Sequence, residues 1–263
     1  GYTLYNYGAA PVFSTLYGTV SNLAFDGYNP ETEAATEIKL SGDYGSFGVV
    51  ADVLDGGTIS NVAVRNYILK SGRYTTMGVI VARMRNGATI CRVHAEETCT
   101  IRLSQSYAGG LVGEFARTED YCPLDENGED LEGTVLITLC DSTNSAPIVI
   151  TSGGNSIAGG IVGRANVANS TYKFEMVISN CVNNASIAPV EGLNTTSEFH
   201  FGGIVGERNA NTSGNPGVLR IIDSSNYGDI ISIGGTSCYG GLIGYTYRSA
   251  KTEFIRCQNR GNI

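Results

Sequence analysis

The chain of 263 residues contains 42% hydrophobic residues, 35 Gly, 6 Pro and no Trp, so it has enough apolar material to fold around a core. Its 17 Lys and Arg against 25 Asp and Glu give a net charge of −8, which argues against nucleic acid and anionic membrane surfaces as partners. Two histidines are too few for a multi-histidine metal site, and no apolar run reaches the roughly 18 residues that span a bilayer, so we expect no membrane insertion by this segment.

The first 17 residues differ from the rest of the chain and are rich in tyrosine. We interpret residues 1–17 as a cap segment on one end of the fold. The alternative is a contact patch for a carbohydrate or a protein, because tyrosine combines an apolar ring with a polar hydroxyl. Tyr2, Tyr5 and Tyr7 are therefore the candidate ligand-binding residues.

A glycine-rich block recurs six times along the chain. Four copies read Gly-Gly-Leu/Ile-Val/Ile-Gly, and two earlier copies around Gly48 and Gly78 lack the double glycine. Paired glycines permit positive φ angles and close approach of backbones, which suits a corner of the chain. The four full copies are Gly109–Gly113, Gly159–Gly163, Gly202–Gly206 and Gly240–Gly244.

A second stretch recurs seven times and reads TVSNLAF, TISNVAV, TICRVHA, TLCDSTN, VISNCVN, RIIDSSN and EFIRCQN. One position is apolar in every copy, from Val20 to Phe254, and the position two residues later is polar in every copy, from Asn22 to Arg256. This alternation predicts a strand with a buried apolar position and a polar position that faces water. The residues on both sides of the polar position are small or apolar, so we expect both to point inward.

A third apolar stretch follows in the copies TEIKL, YILKS, CTIRL, PIVIT, SIAPV and DIISI. Three short strands per repeat predict an all-β fold, a parallel β-helix (β-solenoid) with about seven three-stranded coils over residues 18–263. An antiparallel sandwich is the competing fold, but it would not keep one polarity pattern through seven copies. In this β-helix, Asn144, Asn183, Asn226 and Asn259 stack and hydrogen-bond through their amides.

The stretch from residue 119 to 132 contains seven acidic residues and no basic residue. Asp125, Asn127, Glu129 and Asp130 are candidate ligands for calcium, the one cofactor that the sequence suggests. The spacing lacks the glycine and the distal glutamate of an EF-hand loop. A solvated hairpin insertion built on Asn127-Gly128 is therefore the favoured interpretation.

Seven cysteines cannot all pair within one chain. Cys91 and Cys140 occupy the same position in adjacent coils, but their parallel Cβ vectors would strain a disulfide. Cys181 and Cys257 lie two coils apart, at about 9.6 Å, which exceeds disulfide reach. We interpret the last two as thiols that serve as small apolar residues.

Asp141 and Asp223 are the candidate catalytic residues. They share the outward polar position two coils apart, and a spacing of about 9.6 Å between backbones is at the upper limit for the carboxylates of an inverting glycosidase. No third acid and no basic clamp accompanies them. A polar face in contact with solvent is the favoured interpretation.

The block GGIVG followed by ISNCVNNASI, IIDSSNYGDI or FIRCQNRGNI resembles the GLUG-motif repeats of bacterial cell-surface proteins, over about Gly18 to Ile263. The resemblance implies a large secreted or surface-anchored adhesin, located outside the cell or on its surface. Some such proteins carry a zinc peptidase domain, but His94 lies in HAEET and not in an H-E-x-x-H motif. The last coil stops where a third strand is due, so we expect an excerpt of a longer chain.

The sequence thus favours a non-enzymatic, surface-exposed repeat module, an adhesin or stalk that binds a protein or glycan on a surface. The alternative is a polysaccharide-acting β-helix enzyme of the inverting hydrolase type. That alternative requires a groove lined by acids from neighbouring coils.

Overall fold

The computed structural model describes residues 2–6, 8, 10–40, 42–116, 134–168, 173–193, 195–211, 217–234, 237–247 and 251–263. All regular structure in these ranges is β, which confirms the predicted all-β class. None of these residues forms a helix of the length and apolarity that crossing a membrane requires.

The described strands are two to eight residues long. In chain order they are β1 (Tyr2–Tyr5), β2 (Phe13–Leu16), β3 (Thr19–Asp26), β4 (Tyr28–Asn29), β5 (Ala34–Lys39), β6 (Ser46–Gly48), β7 (Ala51–Asp55), β8 (Thr58–Arg65), β9 (Tyr67–Lys70), β10 (Thr76–Gly78), β11 (Val81–Arg85), β12 (Thr89–Ala95), β13 (Thr100–Leu103), β14 (Tyr107–Gly109), β15 (Val112–Phe115), β16 (Thr134–Cys140), β17 (Thr143–Asn144), β18 (Ile148–Ile150), β19 (Ser156–Gly159), β20 (Val162–Ala168), β21 (Lys173–Ser179), β22 (Val182–Asn183), β23 (Ile187–Pro189), β24 (Phe199–Gly202), β25 (Val205–Asn211), β26 (Val218–Ile222), β27 (Ser225–Asn226), β28 (Cys238–Gly240), β29 (Ile243–Tyr247), β30 (Thr252–Ile255) and β31 (Gln258–Asn259).

These strands form four sheets, and every pairing of named strands is parallel except that of β4 with β5. Sheet I contains β1, β3, β8, β12, β16, β21, β26 and β30, together with the short strands β17, β22, β27 and β31. Sheet II contains β6, β10, β14, β19, β24 and β28. Sheet III contains β2, β7, β11, β15, β20, β25 and β29. Sheet IV contains β4, β5, β9, β13, β18 and β23. The architecture is therefore β-helix-like.

Equivalent residues of successive repeats pair in register. Ile59 pairs with Val20 and Ile90, and Ile178 pairs with Leu139 and Ile221. These side chains are buried in one continuous core, as the repeated apolar position predicts. Phe254, the last member of the series, is half exposed.

The glycine block supplies strands to two sheets rather than one. Its first glycine ends a strand of sheet II, and the chain then turns into a strand of sheet III, as from β19 to β20. A Cβ at Gly159 would lie 1.9 Å from the carbonyl oxygen of Val162, so this corner requires glycine. The prediction of three strands per repeat is thus too low, because the polarity pattern does not reveal a corner within an apolar run.

The repeated polar position lies in the left-handed backbone region in all seven copies, with φ between 48° and 58°. Asn and Asp tolerate this conformation, which gives the polarity a backbone cause as well as a solvent one. The turn also interrupts the alternation of the strand, so the preceding residue is half exposed or exposed, as at Cys91, and the following residue is mostly buried, as at Val93. The prediction that both neighbours point inward is therefore wrong for the preceding one.

The predicted asparagine ladder is confirmed. The Nδ2 atoms of Asn144, Asn183 and Asn226 donate to the Oδ1 atom of the next asparagine at 2.9, 2.7 and 2.7 Å. Each of these three amides also donates to the carbonyl oxygen two residues later. The ladder therefore pairs polar groups that the core would otherwise bury unsatisfied.

The tyrosine-rich opening segment extends two of the sheets. Strand β1 pairs with β3 in sheet I, and β2 pairs with β7 in sheet III, both in parallel. The Tyr67 hydroxyl donates to the backbone oxygen of Asn6 at 3.0 Å and ties this segment to the core. The segment thus pairs with the edges of β3 and β7.

Candidate functional site

Two ladders of side chains meet at the corner between sheets II and III. In sheet II the ladder runs through Ser46, Thr76, Tyr107, Ile157, His200 and Cys238. In sheet III it runs through Val53, Arg83, Glu114, Arg164, Glu207 and Tyr245. The ladders touch where Arg83 Nη1 donates to Ser46 Oγ at 3.1 Å and where the Arg164 guanidinium lies 5.1 Å from the centre of the Tyr107 ring.

A cleft of about 270 Å³ opens beside this corner. We call it the His200 cleft, and it is lined by Tyr74, Gln105, Tyr107, Asn155, Ser156, Ile157, Glu198, His200 and Glu207. Strands β14, β19 and β24 carry four of these residues, so three stacked repeats build its floor. Its lining combines two tyrosine rings with amide, hydroxyl and carboxylate groups.

His200 lies between two carboxylates. Its Nδ1 atom is 2.8 Å from Glu207 Oε2, and its Nε2 atom is 3.0 Å from Glu198 Oε1. The Tyr245 ring stacks on the imidazole, with centroids 4.2 Å apart and an interplanar angle of 21°. Both ring nitrogens therefore have partners, and the ring is fixed in position.

The charge state of this group follows from its partners. Burial lowers the pKa of His200, but its hydrogen bonds to Glu207 and Glu198 outweigh burial and raise the pKa above its ordinary value. Burial raises the pKa of Glu207, but His200 and Arg164 outweigh it and lower the pKa overall. Arg164 Nε lies 3.2 Å from Glu207 Oε1. The site thus favours an imidazolium between two carboxylates.

This arrangement leaves one charged group accessible to a ligand. Glu207 is buried beneath His200 and Arg164, whereas about half of the Glu198 side chain is exposed. Neither imidazole nitrogen is free to accept a proton from a nucleophile. The geometry therefore suits a role in which His200 holds Glu198 in place as a hydrogen-bond acceptor for a ligand. It suits proton transfer by His200 less well.

Tyr74 lines the His200 cleft, and Tyr44 stacks on Tyr74. The rings of Tyr44 and Tyr74 have centroids 5.4 Å apart and an interplanar angle of 20°, and the side chains are 76% and 43% exposed. Both residues lie in the left-handed region, with φ of 65° and 54°. Bulky residues rarely adopt this conformation, and strained backbone of this kind concentrates at functional sites.

Neighbouring side chains hold this pair of rings. The Arg73 guanidinium lies 5.2 Å from the centre of the Tyr74 ring, and its Nε donates to Gln105 Oε1 at 3.0 Å. Gln105 occupies the position equivalent to Tyr44 and Tyr74 in the next repeat, and it is also left-handed, with φ of 47°. The tyrosine pair is thus an ordered, exposed aromatic platform.

The candidate ligand-binding tyrosines of the opening segment lie elsewhere. Tyr2 and Tyr5 are exposed, and Tyr2 borders an open depression of about 610 Å³ that Asn61, Arg92 and His94 also line. Tyr7 is outside the described residues. The depression lies on sheet I and not at the corner of sheets II and III.

The candidate catalytic aspartates are engaged by different partners. Asp141 accepts a hydrogen bond from Asn180 Nδ2 at 2.7 Å, and Asp223 forms a two-point ion pair with Arg256 at 2.5 and 2.6 Å. Asn180 lies between them in the ladder, and its hydrogen bond lowers the pKa of Asp141. The structure does not bring the two carboxylates together. The candidate calcium ligands Asp125, Asn127, Glu129 and Asp130 lie outside the described residues.

Sequence reasoning missed the residues of the His200 cleft. Tyr44, Tyr74 and Gln105 stand four residues before the first glycine of successive blocks, and Tyr107 and His200 stand two residues before it. Extending the alignment upstream of the glycine block would have found this recurrence. The stacking and the positive φ angles have no signature in the polarity pattern.

Comparisons with known proteins bear on the fold. No protein-family model matches the chain, and no curated protein matches it by sequence. Its fold is similar to the crystal structure of "a putative immunoglobulin A1 protease from Bacteroides ovatus", with a TM-score of 0.54 and 22% identity. The match covers 89% of this chain and 59% of that chain. At this identity the likeness concerns the fold alone.

Proposed function

We propose that the chain is a surface-exposed, non-enzymatic repeat module that binds a glycan in the His200 cleft. The observation that carries this proposal is the stacked, exposed pair of Tyr44 and Tyr74 in strained backbone, of which Tyr74 lines the cleft. These rings lie largely in solvent and bury little apolar surface, while the positive φ angles strain the backbone that holds them. Ordered, exposed rings on strained backbone are expected at a binding surface.

The chemistry of the lining matches a sugar. Pyranose rings offer C–H faces that pack on tyrosine, and hydroxyl groups that both donate and accept hydrogen bonds. Tyr74 supplies the aromatic face, and Glu198 supplies a charged acceptor fixed by His200. Gln105 and Asn155 add amides that pair with either role of a hydroxyl.

The charges of the cleft favour binding over hydrolysis. A glycosidase needs one carboxyl group that holds a proton and another that is ionised. Here the partners of Glu207 lower its pKa, and Glu198 is bonded to the same imidazole. The polysaccharide-acting enzyme remains the competing proposal, with Glu198 in place of the aspartates as its most accessible acid.

The wider setting is also part of the proposal. We propose that the repeats form a parallel β-solenoid of about seven coils belonging to the GLUG-motif type, and that the protein is extracellular or on a bacterial cell surface. The in-register parallel strands and the fold likeness over 89% of the chain support the solenoid. A solenoid would present the cleft on a rigid stalk.

A panel of oligosaccharides tests the proposal by calorimetric titration. We expect Tyr74→Ala to weaken the binding of a glycan hit about 5- to 150-fold, since loss of one stacking ring costs about 1–3 kcal/mol on analogous base–aromatic stacks. Tyr2→Ala is the matched control and should bind as the unaltered chain does. Loss of binding in Tyr2→Ala but not in Tyr74→Ala would move the site to the opening segment. If the chain shortens the glycan, and Glu198→Gln abolishes this cleavage, the polysaccharide-acting enzyme would be established instead.

A further inference from the structure

A cluster of two cysteines and one aspartate lies on sheet I, whereas the His200 cleft lies at the corner of sheets II and III. Cys91 of β12 and Cys140 of β16 are register partners on adjacent parallel strands. Asp141 follows Cys140 directly. The two Sγ atoms and a carboxylate oxygen of Asp141 all lie within 4.8 Å of one another.

The local backbone builds this cluster. Both cysteines occupy the position before the left-handed residue, where side chains are half exposed. Asp141 is itself the left-handed residue, with φ of 49°, and its Oδ2 atom accepts a hydrogen bond from Cys91 Sγ at 3.4 Å. Its other oxygen accepts from Asn180 Nδ2 at 2.7 Å. The carboxylate is therefore oriented toward the thiols and held by a second residue.

The neighbouring repeats lack this chemistry. Ser60 and Ser179 occupy the cysteine position on either side of the pair, and they are paired in register with Cys91 and Cys140. In the part of the chain that the structure describes, no other three cysteine, histidine or acidic residues bring their ligand atoms together in this way. A general need of the fold for thiols at this position is thus ruled out.

We propose that Cys91, Cys140 and Asp141 bind a zinc ion, with water as its fourth ligand. In a tetrahedral zinc site with Zn–S of about 2.3 Å and Zn–O of about 2.0–2.2 Å, neighbouring ligand atoms are roughly 3.3–3.8 Å apart. The Cys91–Asp141 separation of 3.4 Å already falls in this range. Small rotations of two side chains complete the site, and the exposed side of Asp141 admits the water.

Ligand type and charge both favour zinc over harder cations. Two thiolates select zinc and related soft ions, whereas calcium and magnesium prefer oxygen ligands. Two thiolates, one carboxylate and a divalent ion sum to a charge of −1. Arg92 follows Cys91 and exerts an attractive Coulomb interaction on Asp141, so it can offset that charge.

A disulfide is the main competing fate of these thiols. Paired positions on parallel strands direct their Cβ atoms the same way, which strains an S–S bond. Metal coordination needs only that the sulfur atoms converge on a point outside the sheet. Oxidation is therefore an outcome that the test must separate from metal binding.

The test measures zinc per chain after dialysis of the reduced full chain, with cadmium as an ultraviolet probe of thiolate coordination. We expect one ion per chain. Cys91→Ser and Cys140→Ser should each weaken binding about 100-fold or more, beyond the 10–100-fold that loss of an outer-shell partner costs. Asn180→Gly, which removes such a partner and keeps the left-handed turn, should weaken binding about 10-fold.

Serine is an acceptable residue for the folded chain at these positions, as Ser60 and Ser179 demonstrate. Cys257→Ser is the matched control, because Ser224 occupies the equivalent position one repeat earlier, and Cys122→Ser tests the cysteine outside the described residues. Both controls should retain the ion. Zinc binding that survives Cys91→Ser and Cys140→Ser, absence of binding at micromolar zinc, or a Cys91–Cys140 disulfide with no metal uptake after reduction would each overturn the proposal.

Discussion

The corner between sheets II and III has two forms. The early repeats, around Gly48 and Gly78, have a single glycine there, and the late repeats, from Gly109 onward, have two. In the late repeats the second glycine of each block packs against the asparagine ladder, and a Cβ at Gly160 would lie 2.3 Å from Asn183 Cγ. In the early repeats the second glycine is replaced by Val49 and Val79, and the positions in register with the asparagines hold Val64 and Ala95. Glycine with asparagine and valine with a small apolar residue are therefore alternative pairs at one corner.

The backbone differs along with the side chains. In the early repeats the Val49 amide donates to the carbonyl of Val79, the equivalent residue of the next repeat. In the late repeats the Gly160 amide donates to Gly202, which precedes the equivalent residue Gly203. The two corners thus have different hydrogen-bond registers. Between the two kinds of corner, the residue pair and the backbone hydrogen bond change together.

The largest effect should come from placing any side chain at the second glycine of a late corner. Gly160→Ala places a Cβ 2.2 Å from the carbonyl oxygen of Gly203, so we expect a loss of about 3 kcal/mol in the free energy of unfolding by urea. Gly45→Ala is the control, since its Cβ would meet nothing nearer than 3.8 Å. Adding Asn183→Ala should not rescue Gly160→Ala, because the backbone contact remains. Full rescue would mean that the side chain alone sets the corner.

The next effect concerns the ladder itself. Asn183→Ala removes hydrogen bonds to Asn144 and Asn226 and leaves their buried amide groups unpaired, so we expect a loss of about 2 kcal/mol. Asn183→Leu, which restores volume but no hydrogen bond, should not recover it. The midpoint of urea unfolding measures both. A loss under about 0.5 kcal/mol in Asn183→Ala would remove the ladder as a stabilising feature.

A smaller effect is a difference between the late and early repeats in how their stability depends on pH. Because the folded pKa of His200 is raised, its stabilising contribution is fully present below the ordinary value of 6.5 and is lost as pH rises through the folded pKa. We expect His200→Gln to cost about 1.5 kcal/mol at pH 6 and less at higher pH. Thr76, the equivalent early residue, does not titrate in this range. Amide hydrogen exchange rates, corrected for the pH dependence of the intrinsic exchange rate, should therefore rise with pH at Phe199–Gly202 and stay constant at Thr76–Gly78. Equal pH responses at both places would contradict this assignment.

The smallest effect tests a feature that both regions share. Arg92 occupies the left-handed position at φ of 54°, which asparagine tolerates better. We expect Arg92→Asn to raise the melting temperature slightly, by an amount equivalent to about 0.5 kcal/mol. Arg102→Asn, on an exposed strand position, is the control and should not stabilise. Destabilisation by Arg92→Asn would show that Arg92 has a role beyond the turn.

Much of the fold could be predicted from repetition, because a buried ladder needs an apolar residue in each copy and Ile59, Ile90 and Ile178 supply it. The asparagine ladder could also be predicted from the sequence, because an asparagine recurs at one position of four successive repeats. The split of the glycine block could not be predicted, because a corner within an apolar run leaves the polarity unchanged. The left-handed turn was not predicted either, because a polar residue at a solvent-facing position needs no special backbone angle to explain it. The His200 cleft escaped prediction because His200 and Glu207 belong to different ladders that meet only after folding.

All site inferences depend on the stacking of equivalent residues in parallel register. Nuclear Overhauser contacts between methyl groups of the folded chain measure this stacking most directly. We expect contacts from Ile178 to both Leu139 and Ile221, with amide contacts that advance in the same direction on β21 and β26. Contacts of Ile178 with non-equivalent residues, or amide contacts that run in opposite directions, would contradict it.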